Sequence, residues 1–369
     1  MPFEMLDRRR VRTKPLAERV NRTFIEKEAI YPGQAPRRMT DQLRRAAALT
    51  ADSIRSARRQ DRSVMLAFGA HTIKNCLGPV LIHMMERGWL THLATNGAGI
   101  IHDWEFAYLG QSSEHVAANV NAGQFGIWEE TGHYLNMALL VGAWRGLGYG
   151  ESVGAMIGQE ALEVPDRAPL VSEIEAAAGQ RPFPESAAGA ADLLYMMDRH
   201  RLPSGRMSVP HPWKPFSVQA AACRLGVPFT GHPMIGHDII YTHRLNHCAA
   251  IGRAAQRDFL AFAHGVSRLD GGVYMSIGSA VMSPMIFEKS LSMAQNLAIQ
   301  AGGHIDRHLM VVVDLQESTW DWSHKEPPED HPDYYLRYYK TFYRMGGELH
   351  YCSADNRDFL LALCSELEG

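Results

Sequence analysis

Short apolar segments alternate with longer segments of helical periodicity from residue 64 to the C-terminus. Six of the apolar segments are followed at once by small or polar residues, and they are Val64–Phe68, His92–Ala94, Val227–Phe229, Val273–Ile277, Leu309–Val313 and Leu349–Cys352. Such segments are typical of buried parallel strands, and the helical patterns between them supply the crossovers that parallel neighbours need. The pattern predicts an α/β fold with a parallel, doubly wound, Rossmann-like sheet of about six or more strands and helices on both faces.

The spacing of the segments also predicts the domain organisation. Residues 1–60 are predicted to form an N-terminal arm and helices, with Thr40 as a helix N-cap. Residues 61–369 are predicted to form a single α/β domain. About 130 residues separate the second and third segments, where a simple strand–helix–strand unit needs about 30. We therefore expect an elaborated insertion around residues 115–215.

Composition and charge narrow the function classes. The chain has 369 residues, of which 46% are hydrophobic and 21% charged, as expected for a globular protein with a sizeable core. A basic run from Arg8 to Lys14 could bind nucleic acid, but it holds no aromatic residue that could stack on a base, and acidic residues soon follow it. We expect a solvated or partner-contacting arm and no nucleic-acid partner.

The cysteines and the hydropathy predict the compartment. The five cysteines are scattered and include no Cys-x-x-Cys pair, which argues against a disulfide framework and a zinc ribbon. No signal peptide opens the chain, and no apolar run approaches the 18 residues of a membrane span. The sequence predicts a cytoplasmic protein with no membrane partner.

Small and acidic residues directly after the predicted strands are the first candidates for a site, because ligands of such sheets lie beyond the carboxyl ends of the strands. Gly97 and Gly99 could let backbone N–H groups approach a phosphate, although a tight turn explains them equally well. Gly278 and Ser279 form a similar turn. Asp314 could accept hydrogen bonds from a ribose, or it could cap a helix.

A histidine-rich segment raises the question of a metal. His232, His237, His243 and His247 lie close together in sequence, and the last two are four residues apart. The His-Glu-x-x-His pattern of zinc proteases has glutamate where this chain has Arg244, so that mechanism lacks its base. We expect no metal, with structural or substrate-contacting histidines here.

Lys340 is the candidate nucleophile. It lies within Asp333–Tyr343, a segment with five tyrosines and one phenylalanine. Burial among rings and nearby positive charge lower the pKa of an amine, and this is how lysines become imine-forming catalysts. The alternative is an amphipathic helix whose lysine faces water.

Taken in order, the strand-end motifs resemble the deoxyhypusine synthase family. The motifs are Phe68–Gly78, Ala94–Asp103, Gly231–Tyr241, Gly278–Val281, Asp314–Glu317, Tyr338–Lys340 and Ala354–Asp355. The resemblance implies a homotetramer with intersubunit sites and NAD as cofactor. It also implies oxidation of a polyamine such as spermidine and transfer of its aminoalkyl group, through an imine on Lys340, to an amine or a protein lysine acceptor.

The resemblance further implies which residues contact substrate and cofactor. Substrate contacts are expected from His102, Asp103, His237, Asp238, Tyr334 and Tyr338. NAD contacts are expected from Thr72, Asn75, Thr95, Gly97, Gly99, Gly278, Ser279, Asp314, Gln316, Ala354 and Asp355. His102, Tyr334 and Pro284 depart from the family pattern at its substrate contacts, which leaves the amine open. Two alternatives remain: an amine-related hydrolase that uses the His232–His247 segment, and a non-catalytic, NAD-binding oligomer.

Overall fold

The structure is a computed structural model that describes residues 3–322 and 324–369. Its strands are β1 (Asn21–Phe24), β2 (Val64–Phe68), β3 (His92–Thr95), β4 (Gln111–Glu114), β5 (Ala161–Val164), β6 (Gly205–Ser208), β7 (Phe229–Gly231), β8 (Val273–Ile277), β9 (Leu309–Asp314) and β10 (Glu348–Ser353). Its first eight helices are α1 (Ile25–Glu28), α2 (Asp41–Arg59), α3 (Ala70–Lys74), α4 (Gly78–Glu86), α5 (Gly97–Leu109), α6 (Val116–Asn121), α7 (Glu129–Arg145) and α8 (Tyr149–Gln159). The others are α9 (Arg167–Ala177), α10 (Glu185–His200), α11 (Val218–Leu225), α12 (Cys248–Ser267), α13 (Met282–Gln300), α14 (Arg337–Tyr343) and α15 (Asn356–Glu368).

Six strands form one parallel sheet in the order β10-β9-β8-β2-β3-β7. Each of them corresponds to one of the six predicted apolar segments, so the predicted α/β fold is confirmed. Counted along the chain, the spatial order of these strands is 3-2-1-4-5-6, the Rossmann order. The direction of strand addition reverses between β2 and β8, and this reversal is the topological switch point of the sheet.

Successive side chains of each strand point to opposite faces of the sheet, and both faces are buried. Val64, Leu66 and Phe68 of β2 belong to one hydrophobic cluster, while Met65 and Ala67 belong to another. The first cluster includes apolar residues of α2 and α15, and the second includes residues of α12 and α13. Since side chains of a strand point alternately to opposite faces, continuous apolar strands need helices on both sides.

The long interval between β3 and β7 forms helices and two small antiparallel pairings. β4 pairs with β1, which ties the N-terminal segment to the end of α5, and β5 pairs with β6. A buried ion pair between Arg19 and Glu105 reinforces the first connection, with Arg19 Nη1 2.6 Å from Glu105 Oε1. The Arg8 guanidinium donates to the Tyr241 carbonyl at 2.8 Å, so the basic arm contacts its own chain. The domain boundaries proposed from the sequence stay a prediction.

Candidate functional site

The carboxyl ends of the parallel strands lie level with one another. Phe68 of β2 pairs with Thr95 of β3 and with Ile277 of β8, and Ser353 of β10 pairs with Asp314 of β9. The turns that follow these strands therefore meet at a single edge. Two cavities lie along this edge: residues from both sides of the switch point line the first, and the second lies beyond β9 and β10.

The first cavity lies beyond β3, β7 and β8 and has a volume of about 560 Å³. Its polar residues are Asn96, His232, His237, Asp238 and Lys289, and its walls are mainly apolar, with Met234, Phe259, Met285 and Ile286 among them. A mainly apolar cavity with a few polar groups is the usual form of a small-molecule site.

Asp238 is the carboxylate at the wall of this cavity. Its Oδ1 accepts a hydrogen bond from the Ile240 N–H at 3.1 Å, whereas Oδ2 is buried and has no hydrogen-bond partner among the described residues. A Cβ at Gly97 would lie 2.0 Å from Oδ2, so the carboxylate needs glycine at the start of α5. Burial raises the pKa of Asp238 to about 6. The group therefore changes charge near neutral pH.

His232 is held in its neutral form at the same cavity. Its Nε2 lies 3.0 Å from the Thr230 hydroxyl, and Nε2 of His92 lies 3.0 Å from the same oxygen. Burial lowers the pKa of both imidazoles to about 3. His237 is exposed at the rim.

At the switch point, the turns after β2 and β8 pack backbone against backbone. A Cβ at Gly69 would lie 2.0 Å from the Gly278 carbonyl oxygen. Gly278 has a φ of +57°, and a Cβ there would lie 2.5 Å from Nδ2 of Asn356. That amide donates to the Thr72 hydroxyl at 3.1 Å. Asn356 therefore joins the turns that hold the predicted cofactor residues Thr72 and Gly278.

The second cavity lies beyond β9 and β10 and has a volume of about 500 Å³. Ala354 and Asp355 line it, and Asp314 is adjacent at the end of β9. The Ala354 N–H donates to the Asp314 carbonyl at 3.0 Å, while Asp314 Oδ1 accepts from the Gln316 N–H at 3.1 Å. Four residues expected to contact the cofactor thus lie together here.

The remaining cofactor candidates lie around α3, α5 and α13. The Thr95 hydroxyl donates to the Phe68 carbonyl at 2.9 Å, and a Cβ at Gly99 would lie 2.2 Å from that hydroxyl oxygen. Asn75 is exposed at the end of α3. The Ser279 hydroxyl accepts from the Ser283 N–H in the first turn of α13 at 3.2 Å.

Two substrate candidates lie away from the first cavity. Asp103 is fully buried, and its oxygens accept hydrogen bonds from the Ser217 hydroxyl and from backbone and side-chain N–H groups of Val218 and Gln219 at the start of α11. His102 Nδ1 lies 2.6 Å from the Ser112 hydroxyl, which donates to Glu105. Asp103 anchors one helix, and His102 belongs to a polar network between α5 and β4.

Lys340 does not have the surroundings of an imine-forming nucleophile. Its Nζ lies 3.6 Å from Glu326 Oε2 and 3.4 Å from the centre of the Tyr334 ring. A carboxylate and an aromatic face both stabilise a charged ammonium, whereas the nucleophile must be neutral. The ring of Tyr338 packs against that of Tyr339, tilted by 30°, with the ring centres 4.1 Å apart. This group forms a separate aromatic cluster beside α14.

The histidines of the His232–His247 segment do not gather into one cluster. His232 bonds to Thr230, and His243 Nε2 lies 3.4 Å from Glu129 of α7. Within the described part of the chain, no group of three or more His, Cys, Asp or Glu residues is arranged to hold a metal ion. In the same residues, no helix combines the length and the apolar character that a membrane crossing requires.

Three residues of this edge were missed as site residues when the sequence alone was considered. Asn356 joins the turns at the switch point, and the hydroxyls of Tyr149 and Tyr241 are buried without hydrogen-bond partners among the described residues. Tyr241 belongs to one of the strand-end motifs. Tyr149 and Asn356 carry no local signal, because their contacts are with residues more than 80 positions away.

Comparison with known proteins finds no matching protein-family model and no similar curated protein. Among solved structures, AgrE in complex with ornithine and NAD+ is 12% identical, with a TM-score of 0.42 over 90% of this chain and 34% of AgrE. A conserved LOR/SDH protein from Methanococcus maripaludis S2 is 13% identical, with a TM-score of 0.41 over 92% of this chain and 73% of that protein. ArgZ, an arginine dihydrolase from the ornithine–ammonia cycle in cyanobacteria, is 14% identical, with a TM-score of 0.40 over 90% of this chain and 33% of ArgZ.

These findings correct the interpretation drawn from the motifs. The chain spans about a third of the length of AgrE and ArgZ, and none of the three proteins is a deoxyhypusine synthase. Since no model of that family matches and the Lys340 amine lies beside Glu326 and the face of Tyr334, the assignment to a deoxyhypusine synthase-like aminoalkyl transferase is wrong. The expected polyamine substrate and the expected imine on Lys340 depended on that assignment and are withdrawn as well. The motifs resembled that family because turns after parallel strands favour the same small and acidic residues in many sheets of this kind.

Proposed function

We propose that the protein is an NAD-dependent enzyme that oxidises a hydroxyl or amine group of a small substrate in the cavity beside Asp238. The observation that carries the proposal is the switch point between β2 and β8, where residues from both sides line one cavity and a second cavity lies beyond β9 and β10. In open parallel sheets, dinucleotides bind across the crevice at this position.

The residues at the switch point fit a dinucleotide. Gly69 and Gly278 let two turns come into contact, because a Cβ atom at either position would clash with neighbouring atoms. The 19-residue helix α13 begins at Met282, just after the second turn, so its positive end faces the crevice where a pyrophosphate would lie. Asp314 and Asp355 supply carboxylates beside the second cavity for ribose hydroxyls.

NAD would supply the acceptor for a hydride from the substrate carbon. The same oxidation releases a proton from the hydroxyl or amine, and the chain must provide a group that accepts it. Asp238 is suited to this role, because its pKa of about 6 leaves it ionised at neutral pH while keeping it more basic than an exposed carboxylate. Its unpartnered Oδ2 is the accepting atom.

Calorimetric titration with NAD+ tests the proposal. We expect binding by the wild type and loss of binding in Ala280→Trp, because Ala280 is exposed in the turn after β8, where a bulky ring would fill the crevice. Ala301→Trp is the matched control, since Ala301 is exposed just beyond the other end of α13. No binding of NAD+, NADH or their phosphorylated forms, or equal binding by both variants, would overturn the proposal.

A further inference from the structure

A further cavity, of about 860 Å³, lies between residues 5–11 of the N-terminal arm, the end of α10 and the segment that precedes α12. Its lining is strongly basic, because among the described residues it holds four arginines and two histidines but one carboxylate. The arginines are Arg8, Arg9, Arg199 and Arg244, the histidines are His200 and His247, and the carboxylate is that of Asp7. Asp7 pairs with Arg9 at 2.8 Å, so the lining offers no carboxylate to the other three arginines.

Arg8 brings a positive charge to this cavity without a counter-ion. Its guanidinium donates to the Tyr241 carbonyl at 2.8 Å and to the side-chain and backbone oxygens of Asn246 at 2.9 and 2.7 Å. All three acceptors are uncharged. The side chain is half-buried, and burial lowers the pKa of the guanidinium. A partly desolvated charge is unfavourable unless an opposite charge offsets it, so this position favours an anion.

Arg199 and Arg244 are also free to bind an anion. The Arg199 guanidinium donates to the Tyr195 hydroxyl and lies 5.5 Å from the centre of that ring, and both contacts are with an uncharged group. Arg244 is exposed, and its Nη2 lies 3.8 Å from Glu129 Oε1. Glu129 also accepts a hydrogen bond from the Thr13 hydroxyl, so it is shared between partners. Neither arginine is held in a close ion pair.

A series of contacts connects Arg8 with Arg199 along the wall of the cavity. Asn246, which accepts from Arg8, is followed directly by His247, the N-cap of α12. The centre of the His247 ring lies 5.9 Å from that of the Tyr195 ring, and Arg199 lies over Tyr195. The end of α10 and the start of α12 therefore hold the two arginines against one cavity.

Other polar groups of the lining are left without partners. The Tyr241 hydroxyl and Nδ1 of His247 are buried and have no hydrogen-bond partner among the described residues. Buried polar atoms are almost always paired in native proteins. Burial lowers the pKa of His200, and the charges of three arginines of the lining lower it further. This imidazole is therefore neutral at neutral pH, and the positive charge of the cavity is that of the guanidinium groups.

We propose that this cavity binds the phosphate group of a small organic phosphomonoester, at a site separate from the Asp238 cavity. The planar guanidinium group matches phosphate oxygens in a two-pronged geometry, and a phosphomonoester carries nearly two negative charges near neutral pH. A monocarboxylate would offset only one of the unpaired charges. Leu6, Ile127 and Met196 supply apolar wall for the organic part of the ligand. The inference goes beyond the proposed function, since no residue named in the lining of this cavity lines the Asp238 cavity.

Calorimetry at about pH 7.5, where a phosphomonoester is a dianion, tests the inference with phenyl phosphate, benzoate and inorganic phosphate. We expect phenyl phosphate to bind at least about tenfold more tightly than benzoate, because it offsets two charges and not one. Inorganic phosphate should bind more weakly than phenyl phosphate, because it lacks a ring to cover the apolar wall.

Arginine variants locate the binding. Arg199→Gln and Arg244→Gln should each weaken the binding of phenyl phosphate about tenfold. Arg59→Gln, at the exposed end of α2 and outside the cavity, is the matched control and should bind as the wild type. All three arginines are exposed, so we expect the three variants to melt near the wild-type temperature. Arg199→Lys keeps the charge but loses the fork, and it should bind with intermediate affinity.

Several results would overturn the inference. They are no binding of phenyl phosphate, equal affinity for phenyl phosphate and benzoate, or unchanged binding in both glutamine variants. Inorganic phosphate that binds as tightly as phenyl phosphate would also overturn it, because the apolar wall would then contribute nothing.

Titration of NAD+ keeps this inference distinct from the proposed function. We expect Arg199→Gln to bind NAD+ as the wild type does, and loss of NAD+ binding in that variant would contradict the separation of the two sites. Binding of NAD+ without binding of phenyl phosphate removes this inference alone. Binding of phenyl phosphate that depends on the arginines, without binding of any dinucleotide, removes the proposed function alone.

Discussion

At the scale of single residues, the site depends on a carboxyl group whose ionised form is destabilised by the fold. Asp238 is partly buried, and its buried Oδ2 faces the first turn of α5 without a partner among the described residues. A pKa of about 6 means that the folded protein binds a proton at this group more tightly than the unfolded chain does. The ionised form therefore costs stability at neutral pH and gives the proposed proton acceptor its basicity.

Asp238→Asn is expected to stabilise the fold. A raised pKa lowers the stability of the wild type as pH rises from about 4 through 6, and an amide of the same shape avoids that loss. The free energy of unfolding should exceed that of the wild type by about 3 kcal/mol near pH 8. The difference should fade below about pH 3, where the acid is neutral in both states. Denaturant unfolding at several pH values measures it, and a difference that does not change with pH would show that burial of the Asp238 charge is not its cause.

Glu105→Gln is expected to destabilise strongly. Arg19 and Glu105 are both 2% exposed at their side chains, so removal of one charge leaves the other buried and unpaired, at a cost of about 3–5 kcal/mol. Asp198→Asn is the matched control, because its pair with Arg167 is half exposed and is worth about 0–1 kcal/mol. Chemical denaturation compares the two variants. Equal losses would show that the Arg19 pair does not hold the N-terminal segment against α5.

At the scale of elements, the turns after β2 and β8 decide the shape of the crevice. Gly69→Ala should cost about 3 kcal/mol or more, since its Cβ would lie 2.0 Å from a carbonyl oxygen of the facing turn. Gly252→Ala, within α12 with nothing inside 4 Å of the new Cβ, should raise stability by about 1 kcal/mol. Thermal and denaturant unfolding test both. If Gly69→Ala lowered the free energy of unfolding only slightly, the two turns would not be in contact.

The strands could be predicted from the sequence, but the full set of side chains at the candidate site could not. Each apolar segment ends within two residues of its strand, because buried parallel strands are apolar at every position. Asp238, Gly97 and Gly278 were found because they follow strands directly. Tyr149 was missed, because it reaches Gly231 at the end of β7 through a helix of the inserted region, and the spacing along the chain does not encode that contact. The sequence suggested a nucleophilic Lys340 because it gave no sign of the contact with Glu326. That residue lies 14 positions away in an irregular segment.

At the scale of the whole molecule, the proposed site lies at one edge of the sheet, and a larger cavity lies at the other. That cavity, of about 930 Å³, is lined by Asp270, Arg307 and their neighbours before β8 and β9. Volume alone does not identify the site, since dinucleotides bind beyond the carboxyl ends of the strands. The homotetramer expected from the sequence stays a prediction; exposed Val281, Met285 and Leu297 on and beside α13 form an apolar surface for such contacts.

Hydrogen exchange with and without NAD+ tests the location of the site most directly. We predict slower exchange at residues 69–75 and 278–285, the turns after β2 and β8, because a bound dinucleotide would cover and order both. Residues 270–272 and 306–308, at the opposite edge, should exchange at unchanged rates. Protection at the opposite edge, or binding of NAD+ without protection of either turn, would contradict the claim that this protein binds its cofactor at the switch point of the sheet.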